Sequence, residues 1–481
     1  MAFKKAVWIT AFFAITTCAQ QTKPAASTPN SAPGASPQRA EPVLPYTPSL
    51  DPAAMNRTAD PCVDFYEYSC GGWRKMNPIP SDQTSWSVYG KLYEDNLNYL
   101  RGILEEASTA KNRDAVAQKI GDYYASCMNE PEIEKLGAGP MKPDLSAIQD
   151  LKSTKDLATL IATLQLKGDS VLFRAGPTQD PDNSDEVIVN VSQGGLGLPD
   201  RDYYLTDDAK SKETRERYLL HVQMLFELMG DSADTAKNNA AVVMRMETSL
   251  AKASLTRVER RDPYKEKHKM SVPDLYKIAP DFDWNAYFAA GGVPKFQILN
   301  VGWPDFFKDV DAQLKSESLQ DWKTYLRFHV ANSRSPYLSA AFVNEDFDFY
   351  RKYLRGAKEL QPRWKRCVRN IDRDLGEALG QAYVRKTFSP ELKAATVDMT
   401  RRIEDAMALR IQQLDWMSPE TKQQALAKLH AIRNKIGYPD NWRDYSSVKI
   451  VPNDFYGNNL RATEFETHRE LNKVGKPVDR G

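Results

Sequence analysis

The chain has 481 residues, of which 41% are hydrophobic and 27% are charged, and its formal net charge is +1. At about 150 residues per domain, this length corresponds to roughly three domains or to one large helical body. The apolar fraction is too high for a globally disordered chain, and the balanced charge disfavours nucleic acid as the main partner, because phosphate binding needs a basic excess. No stretch approaches the roughly 20 apolar residues of a membrane-spanning helix.

The first residues have the pattern of an export signal. Lys4 and Lys5 precede an apolar run over residues 6–15, which is too short to span a bilayer but fits the hydrophobic part of a signal peptide. Two cleavage sites compete: residues 15–18 resemble a bacterial lipobox and would make Cys18 a lipidated N-terminus, whereas residues 17–19 suit ordinary signal peptidase. Residues 1–19 are therefore predicted to export the protein to the periplasm, to a lipid anchor on the outer membrane or to the cell exterior.

The next segment, residues 20–50, is dense in Pro, Ala, Ser, Thr and Gln and has almost no periodic apolar residue. Such a segment cannot bury enough surface to offset its ordering entropy. We predict a disordered linker between the signal and the folded body.

From about residue 58 the pattern is mainly helical. Leu157, Leu160, Ile161 and Leu164 form one apolar stripe with the spacing of a helix. The Ser-Pro-Glu triplets at 389–391 and 418–420 combine an N-cap, a proline in the first turn and an acid that faces the helix dipole, which is typical of helix starts. The clearest long helices are predicted over residues 240–256, 390–414 and 419–436.

One stretch has a different period. Residues 170–175 and 186–191 are rich in β-branched and apolar residues and flank a polar turn, which predicts a small β-hairpin. The glycine-rich residues 194–200 follow. They lack both the Lys-Ser/Thr of a phosphate loop and the G-x-G-x-x-G spacing, so a tight turn towards a helix is favoured.

The cysteine content of the chain predicts disulfide bonds. Cys18 belongs to the signal, and the four cysteines of the body are Cys62, Cys70, Cys127 and Cys367. An exported chain lies where disulfides persist, and four cysteines allow three pairings, which the residues alone leave open. A structural zinc site is the rival interpretation, but no Cys-x2-Cys pair exists and no histidine lies beside these positions.

The residues alone indicate no active site. No two of the five histidines are four residues apart, and both H-E-x-x-H and G-x-S-x-G are absent; the histidines are His221, His268, His329, His430 and His468. We therefore predict neither a catalytic residue nor a metal ligand, and no cofactor bound by this chain.

The sequence DPCVDFYEYSCGGW at residues 60–73 nevertheless resembles the start of the neprilysin and endothelin-converting enzyme family of zinc metallopeptidases. Similar blocks follow in the same order, and the resemblance covers about residues 58–481. They are GGLGLPDRDYY at 194–204, RRDP at 260–263, PRWKRC at 362–367, LGEALG at 375–380, LDWMSPET at 414–421 and KIGYPD at 435–440.

The resemblance implies a mainly α cap domain that encloses peptide substrates over a thermolysin-like catalytic domain. Residues 58–440 would form that cap, with its small hairpin, and residues 441–481 would begin the connection to the catalytic domain. In the family, the H-E-x-x-H helix lies C-terminal to every block found here, so zinc would belong to the full-length protein. The chain is accordingly expected to be a fragment that is inactive alone.

The resemblance also assigns the cysteines. It implies a Cys127–Cys367 disulfide, whereas the family partners of Cys62 and Cys70 lie in the catalytic part. Val88 matches an arginine that contacts the substrate carboxylate in animal neprilysins, so that contact is in doubt. A stand-alone, non-catalytic peptide- or protein-binding module is the alternative; it predicts a Cys62–Cys70 bond and polar surfaces in place of the domain interface.

Overall fold

The computed structural model describes residues 51–480, so the predicted signal peptide, the predicted linker and Cys18 lie outside the described residues. The mainly α fold is confirmed. The α-helices are α1 (Phe65–Met76), α2 (Val88–Thr109), α3 (Ala115–Met128), α4 (Glu130–Leu136), α5 (Lys142–Gln149), α6 (Leu157–Leu166), α7 (Asp202–Leu205), α8 (Ala209–Leu228), α9 (Ala233–Ala253), α10 (Val272–Ile278), α11 (Trp284–Ala290), α12 (Pro304–Ser316), α13 (Leu319–Arg334), α14 (Ala340–Asp346), α15 (Arg363–Thr387), α16 (Pro390–Gln413), α17 (Pro419–His430) and α18 (Phe455–Leu471).

Serine side chains cap the first turn of several helices, including α2, α9, α13, α16 and α17. The hydroxyls of Ser389 and Ser418 accept hydrogen bonds from the backbone N–H three residues later, at 3.3 and 3.2 Å, and start α16 and α17 where the Ser-Pro-Glu pattern predicts. Ser232 caps α9 in the same way at 3.3 Å. The predicted start at residue 240 was wrong: α9 begins at Ala233, where Ser232 is followed by Asp234 but by no proline, so the full Ser-Pro-Glu pattern is absent.

The α17 helix ends at His430, before the predicted residue 436. The following Ile432 is 55% exposed, so no packing favours further helical turns. Helix α6, by contrast, is buried on nearly all sides, and the predicted stripe from Leu157 to Leu164 lies entirely in the core.

The sheet is larger than the predicted hairpin. Its strands are β1 (Phe173–Gln179), β2 (Val187–Gln193), β3 (Lys269–Ser271) and β4 (Ile298–Val301), in the order β1-β2-β4-β3. β1 and β2 form the predicted antiparallel hairpin, β2 pairs parallel with β4, and β3 pairs antiparallel with β4. β3 and β4 were missed because strands of three and four residues carry too little periodicity to be recognised.

Strand β1 begins later than the predicted residue 170. Leu172 adopts a positive φ of 59°, and the Phe173 N–H donates to the Val171 carbonyl at 2.7 Å, so the chain turns tightly before it extends. Pro177 is accommodated within β1 because β1 is an edge strand, where a missing N–H breaks no second ladder.

Two hydrophobic cores hold the helices. The larger core surrounds the sheet, where the ring of Phe173 lies 5.5 Å from that of Trp284 and 5.1 Å from that of Tyr287. The smaller core lies between α2, α3, α15 and α18 and contains both Cys127 and Cys367. The helical body is thus assembled by contacts between segments far apart in the chain.

Residues 441–480 pack onto both cores. Tyr456 and Val474 are buried in the larger core, and Phe455 and Ala462 in the smaller one. Beyond α18, the Val187 N–H donates to the Lys476 carbonyl at 3.1 Å and ties the segment to β2. Within the described residues, every helix is too short or too polar to cross a bilayer.

Candidate functional site

Cys127 and Cys367 form a disulfide that joins the end of α3 to the first turn of α15, with their Cα atoms 5.7 Å apart. Both residues are buried, at 2% and 0% exposure. This is the pair that the resemblance implied and that the cysteine count alone left open. The disulfide covalently joins α3 and α15, two of the helices that contribute to the smaller core.

The remaining two cysteines of the described chain are free thiols. Cys62 is exposed in the turn before α1, and Cys70 is half-buried on α1 itself. The Cys70 sulfur has a weak contact with the Ser69 hydroxyl at 3.5 Å. Neither thiol is therefore used to stabilise the described fold.

A cleft of about 740 Å³ opens beside Cys70, between α1, the following loop and the start of α2. Tyr66, Trp73, Val88 and Tyr89 line it, and Tyr89 is 84% exposed. Val88, at the start of α2, adds an uncharged side chain to this lining. The cleft presents a mainly apolar surface, with Glu67, Arg74 and Lys75 among its walls and a free thiol at its edge.

A second apolar surface runs along α16. Leu392, Met399, Ile403 and Met407 recur at spacings of seven and four residues and are all exposed; we call these four residues the α16 stripe. In a helix of 24 residues only Ile411 is buried. Because an amphipathic helix normally buries its apolar face, the α16 stripe is a surface that fits a partner.

We expect the chain to self-associate through the α16 stripe. Replacing Ile403, which is 61% exposed, with glutamate places a charge in the middle of the stripe and should shift a 54.4 kDa chain towards the monomer in multi-angle light scattering. The change in thermal midpoint should be small, because the side chain has little packing to lose. The matched control is Ala394→Glu, on the opposite face of α16. A stable monomer of the unaltered chain at high concentration would contradict the expectation.

The most elaborate polar arrangement of the described chain is centred on Glu247 of α9, which is 0% exposed. The hydroxyls of Tyr204 and Tyr218 each donate to its carboxylate at 2.8 Å. The Gly197 N–H donates at 3.1 Å, and Nε2 of His329 lies 2.9 Å from Oε1. Four segments are thereby fixed to one carboxylate.

This Glu247 cluster has no opening through which a substrate could reach it. Burial, followed by the charge of Glu247, raises the pKa of both Tyr204 and Tyr218 well above the usual value, so both stay neutral donors. The cluster explains the close packing of the GGLGLPDRDYY block: a Cβ added at Gly197 would lie 1.9 Å from the Tyr218 hydroxyl oxygen. Its role is to hold this turn, as the glycine-rich pattern predicts.

The other histidines serve the fold or lie at the surface. His221 is buried between Glu345, 2.9 Å from its Nδ1, and Asn332, 3.1 Å from its Nε2. Across residues 51–480, no three His, Cys, Asp or Glu side chains are grouped so that they could hold a metal ion. The described residues therefore do not fit a zinc site, and no step of a zinc-dependent reaction is assigned to them.

A family model and individual sequence relatives assign this chain to the same family. The family model described as "Peptidase family M13" matches residues 61–439. Neprilysin-3 of Drosophila melanogaster is 30% identical over 455 residues, covering 89% of this chain and 58% of the relative. Endothelin-converting enzyme 1 of Rattus norvegicus is 29% identical over 445 residues with the same coverages.

Solved structures of other proteins have a similar fold. An inhibitor complex of the zinc metalloprotease Zmp1 of Mycobacterium tuberculosis superposes with a TM-score of 0.83 at 32% identity, over 90% of this chain and 65% of that one. PepO of Lactobacillus rhamnosis shares the fold, with a TM-score of 0.77 at 20% identity, over 85% of this chain and 65% of that one. The chain thus spans less than two thirds of the length of each of these relatives.

Proposed function

Because the chain belongs to peptidase family M13, we propose that it is the N-terminal, substrate-enclosing part of a neprilysin-like zinc metalloendopeptidase. The match over residues 61–439 carries this proposal. In the complete protein, zinc held by a C-terminal catalytic part would polarise the scissile carbonyl and activate water. The residues described here would enclose the peptide and exclude folded proteins from the catalytic centre.

Two observations support a catalytic part that packs against this chain. The cleft beside Cys70 and the α16 stripe are apolar surfaces that lack a partner in the described chain. Cys62 and Cys70 are free, as expected if their partners lie in another segment. A stand-alone binding module would instead favour a Cys62–Cys70 bond and polar surfaces, so both observations favour the peptidase.

The test is made on the purified 481-residue chain and on the product of the gene extended beyond codon 481. We expect the 481-residue chain to contain far less than one zinc per molecule and to leave a quenched fluorescent nonapeptide uncut. The gene should continue in frame into an H-E-x-x-H motif, and its full product should cut the peptide in a chelator-sensitive manner. Chelator-sensitive hydrolysis by the 481-residue chain would refute the proposal that zinc catalysis belongs to a separate C-terminal part.

We also propose that the protein is exported, since residues 1–19 have the features of a signal peptide. Lipidation of Cys18 would anchor it to a membrane, whereas cleavage after Ala19 would release it into the periplasm or the medium. Mass spectrometry of the mature N-terminus distinguishes a lipidated Cys18 from a free Gln20.

A further inference from the structure

A second cavity, of about 440 Å³, is rich in arginine. Its walls include Tyr93 of α2, the end of α14, the loop before α15 and the first turns of α15. Between α14 and that loop runs a π-helix, Phe347–Tyr353, which contributes Arg351. π-Helices are rare and are frequently found at functional sites, so this local geometry draws attention to the cavity.

Three guanidinium groups in this cavity, those of Arg351, Arg366 and Arg369, form no ion pair within 4 Å in the described chain; Asp346 and Glu130 act on Arg351 and Arg366 only at longer range. Arg366 and Arg369 donate instead to neutral oxygens of Gln361, at 3.1 and 2.8 Å. Arg369 also lies over the ring of Tyr93, 5.9 Å from its centre. Burial, followed by the charges of Arg355 and Arg369, lowers the pKa of Arg351, and the charge of Asp346 opposes this shift.

None of the acidic side chains that line the cavity lies within 4 Å of these arginines as an ion pair in the described chain. Asp82 is paired with Lys365 at 2.7 Å, and Glu359 accepts the Ser81 hydroxyl at 2.6 Å. Asp346 and Asp372 also line the cavity, and neither forms an ion pair in the part of the chain described. Burial raises the pKa of Asp346 to about 6, against the opposing attraction of His221, Arg351 and Arg355.

We propose that Arg351, Arg366 and Arg369 form a binding site for a carboxylate carried on a molecule larger than a simple ion. The planar guanidinium fork matches a carboxylate in two parallel hydrogen bonds. The volume falls within the range of about 300–1,000 Å³ that is typical of ligand pockets, and exceeds what a lone anion fills. The carboxylate could come from an acidic residue of a peptide or from a small free acid.

The first experiment needs no variant. Isothermal titration calorimetry on the 481-residue chain at pH 7 and low salt compares acetyl-Ala-Ala-Glu-Ala-amide with the same peptide carrying glutamine, and both with succinate. Binding of the glutamate peptide should exceed that of the glutamine peptide by about tenfold or more, as for hydrogen bonds between charged groups. Succinate binding as tightly as the glutamate peptide would assign the site to free acids. Equal affinity of the two peptides, with no binding of succinate, overturns the proposal.

Variants then locate the site. Arg351→Gln and Arg366→Gln should each weaken binding about tenfold. Arg385→Gln, which removes an exposed arginine that pairs with Asp114 outside the cavity, should leave binding unchanged. Asp346→Asn should tighten binding several-fold, because it removes a carboxylate that repels the ligand. A gain of affinity cannot arise from misfolding, so a loss on Asp346→Asn would count against the site.

This inference goes beyond the proposed peptidase function and can fail separately. Binding of a carboxylate is measured on the chain alone, without zinc or hydrolysis. The gene extension and the peptide-cleavage assay test the peptidase function whatever the outcome at the arginine cavity.

Discussion

Replacing both Cys127 and Cys367 with alanine is expected to lower the free energy of unfolding of the helical body by about 3–5 kcal/mol. The bond spans 240 positions of the sequence, and closing so long a loop removes much conformational freedom from the unfolded chain. Both sulfurs are also buried in the smaller core, so alanine leaves a small cavity between α3 and α15. The measurement is guanidinium unfolding followed by tryptophan fluorescence.

The matched control is the double variant Cys62→Ala and Cys70→Ala. These thiols form no bond in the described fold, and Cys62 is exposed, so their loss should move the unfolding midpoint far less. Because a chain of this size can unfold in steps, the midpoint of the transition that reports on α3 and α15 is compared between variants. If both double variants shift the midpoint equally, the Cys127–Cys367 bond does not stabilise this core.

The sequence predicted those helices and strands whose stabilising contacts lie between residues close together in the chain. The Ser-Pro-Glu patterns before α16 and α17 located both helix starts, because the cap, the proline and the acid all act within one turn. The β-hairpin was predicted for the same reason, since its strands are close in sequence. Strand β4 pairs with β2 across more than one hundred residues, and nothing local indicates that pairing.

The surfaces and clusters that matter for function were harder to predict. The Ser-Pro-Glu start predicted a helix over residues 390–414, but it does not indicate which face of that helix is buried, and only the structure shows Ile403 exposed. Arg351 and Arg366 are separated by a loop whose path cannot be derived from composition. Glu247 looked like one of 64 acids in the sequence, because its partners are 29 to 82 residues away.

Glu247→Ala is expected to lower the free energy of unfolding by about 3–5 kcal/mol. This is the usual cost of removing one partner from a buried charged network. The substitution leaves the Tyr204 and Tyr218 hydroxyls and the Gly197 N–H buried without their acceptor. Each such orphaned group costs about 1–3 kcal/mol, partly relieved by rearrangement or by entry of water. Thermal unfolding followed by circular dichroism measures the loss.

Two further variants separate charge from shape. Glu247→Gln keeps an acceptor oxygen and the side-chain volume, so it should cost clearly less than alanine, about 1–2 kcal/mol. Glu216→Ala, on the exposed face of α8, removes a carboxylate outside the cluster and should change the unfolding midpoint little. The turn at residues 194–200 is bonded to the Glu247 carboxylate through the Gly197 N–H. In Glu247→Ala, the amides of this turn should therefore lose protection from hydrogen exchange before those of the rest of the core. Equal protection of that turn in the alanine variant and the unaltered chain would show that the glycine-rich segment is held by its own backbone and not by Glu247.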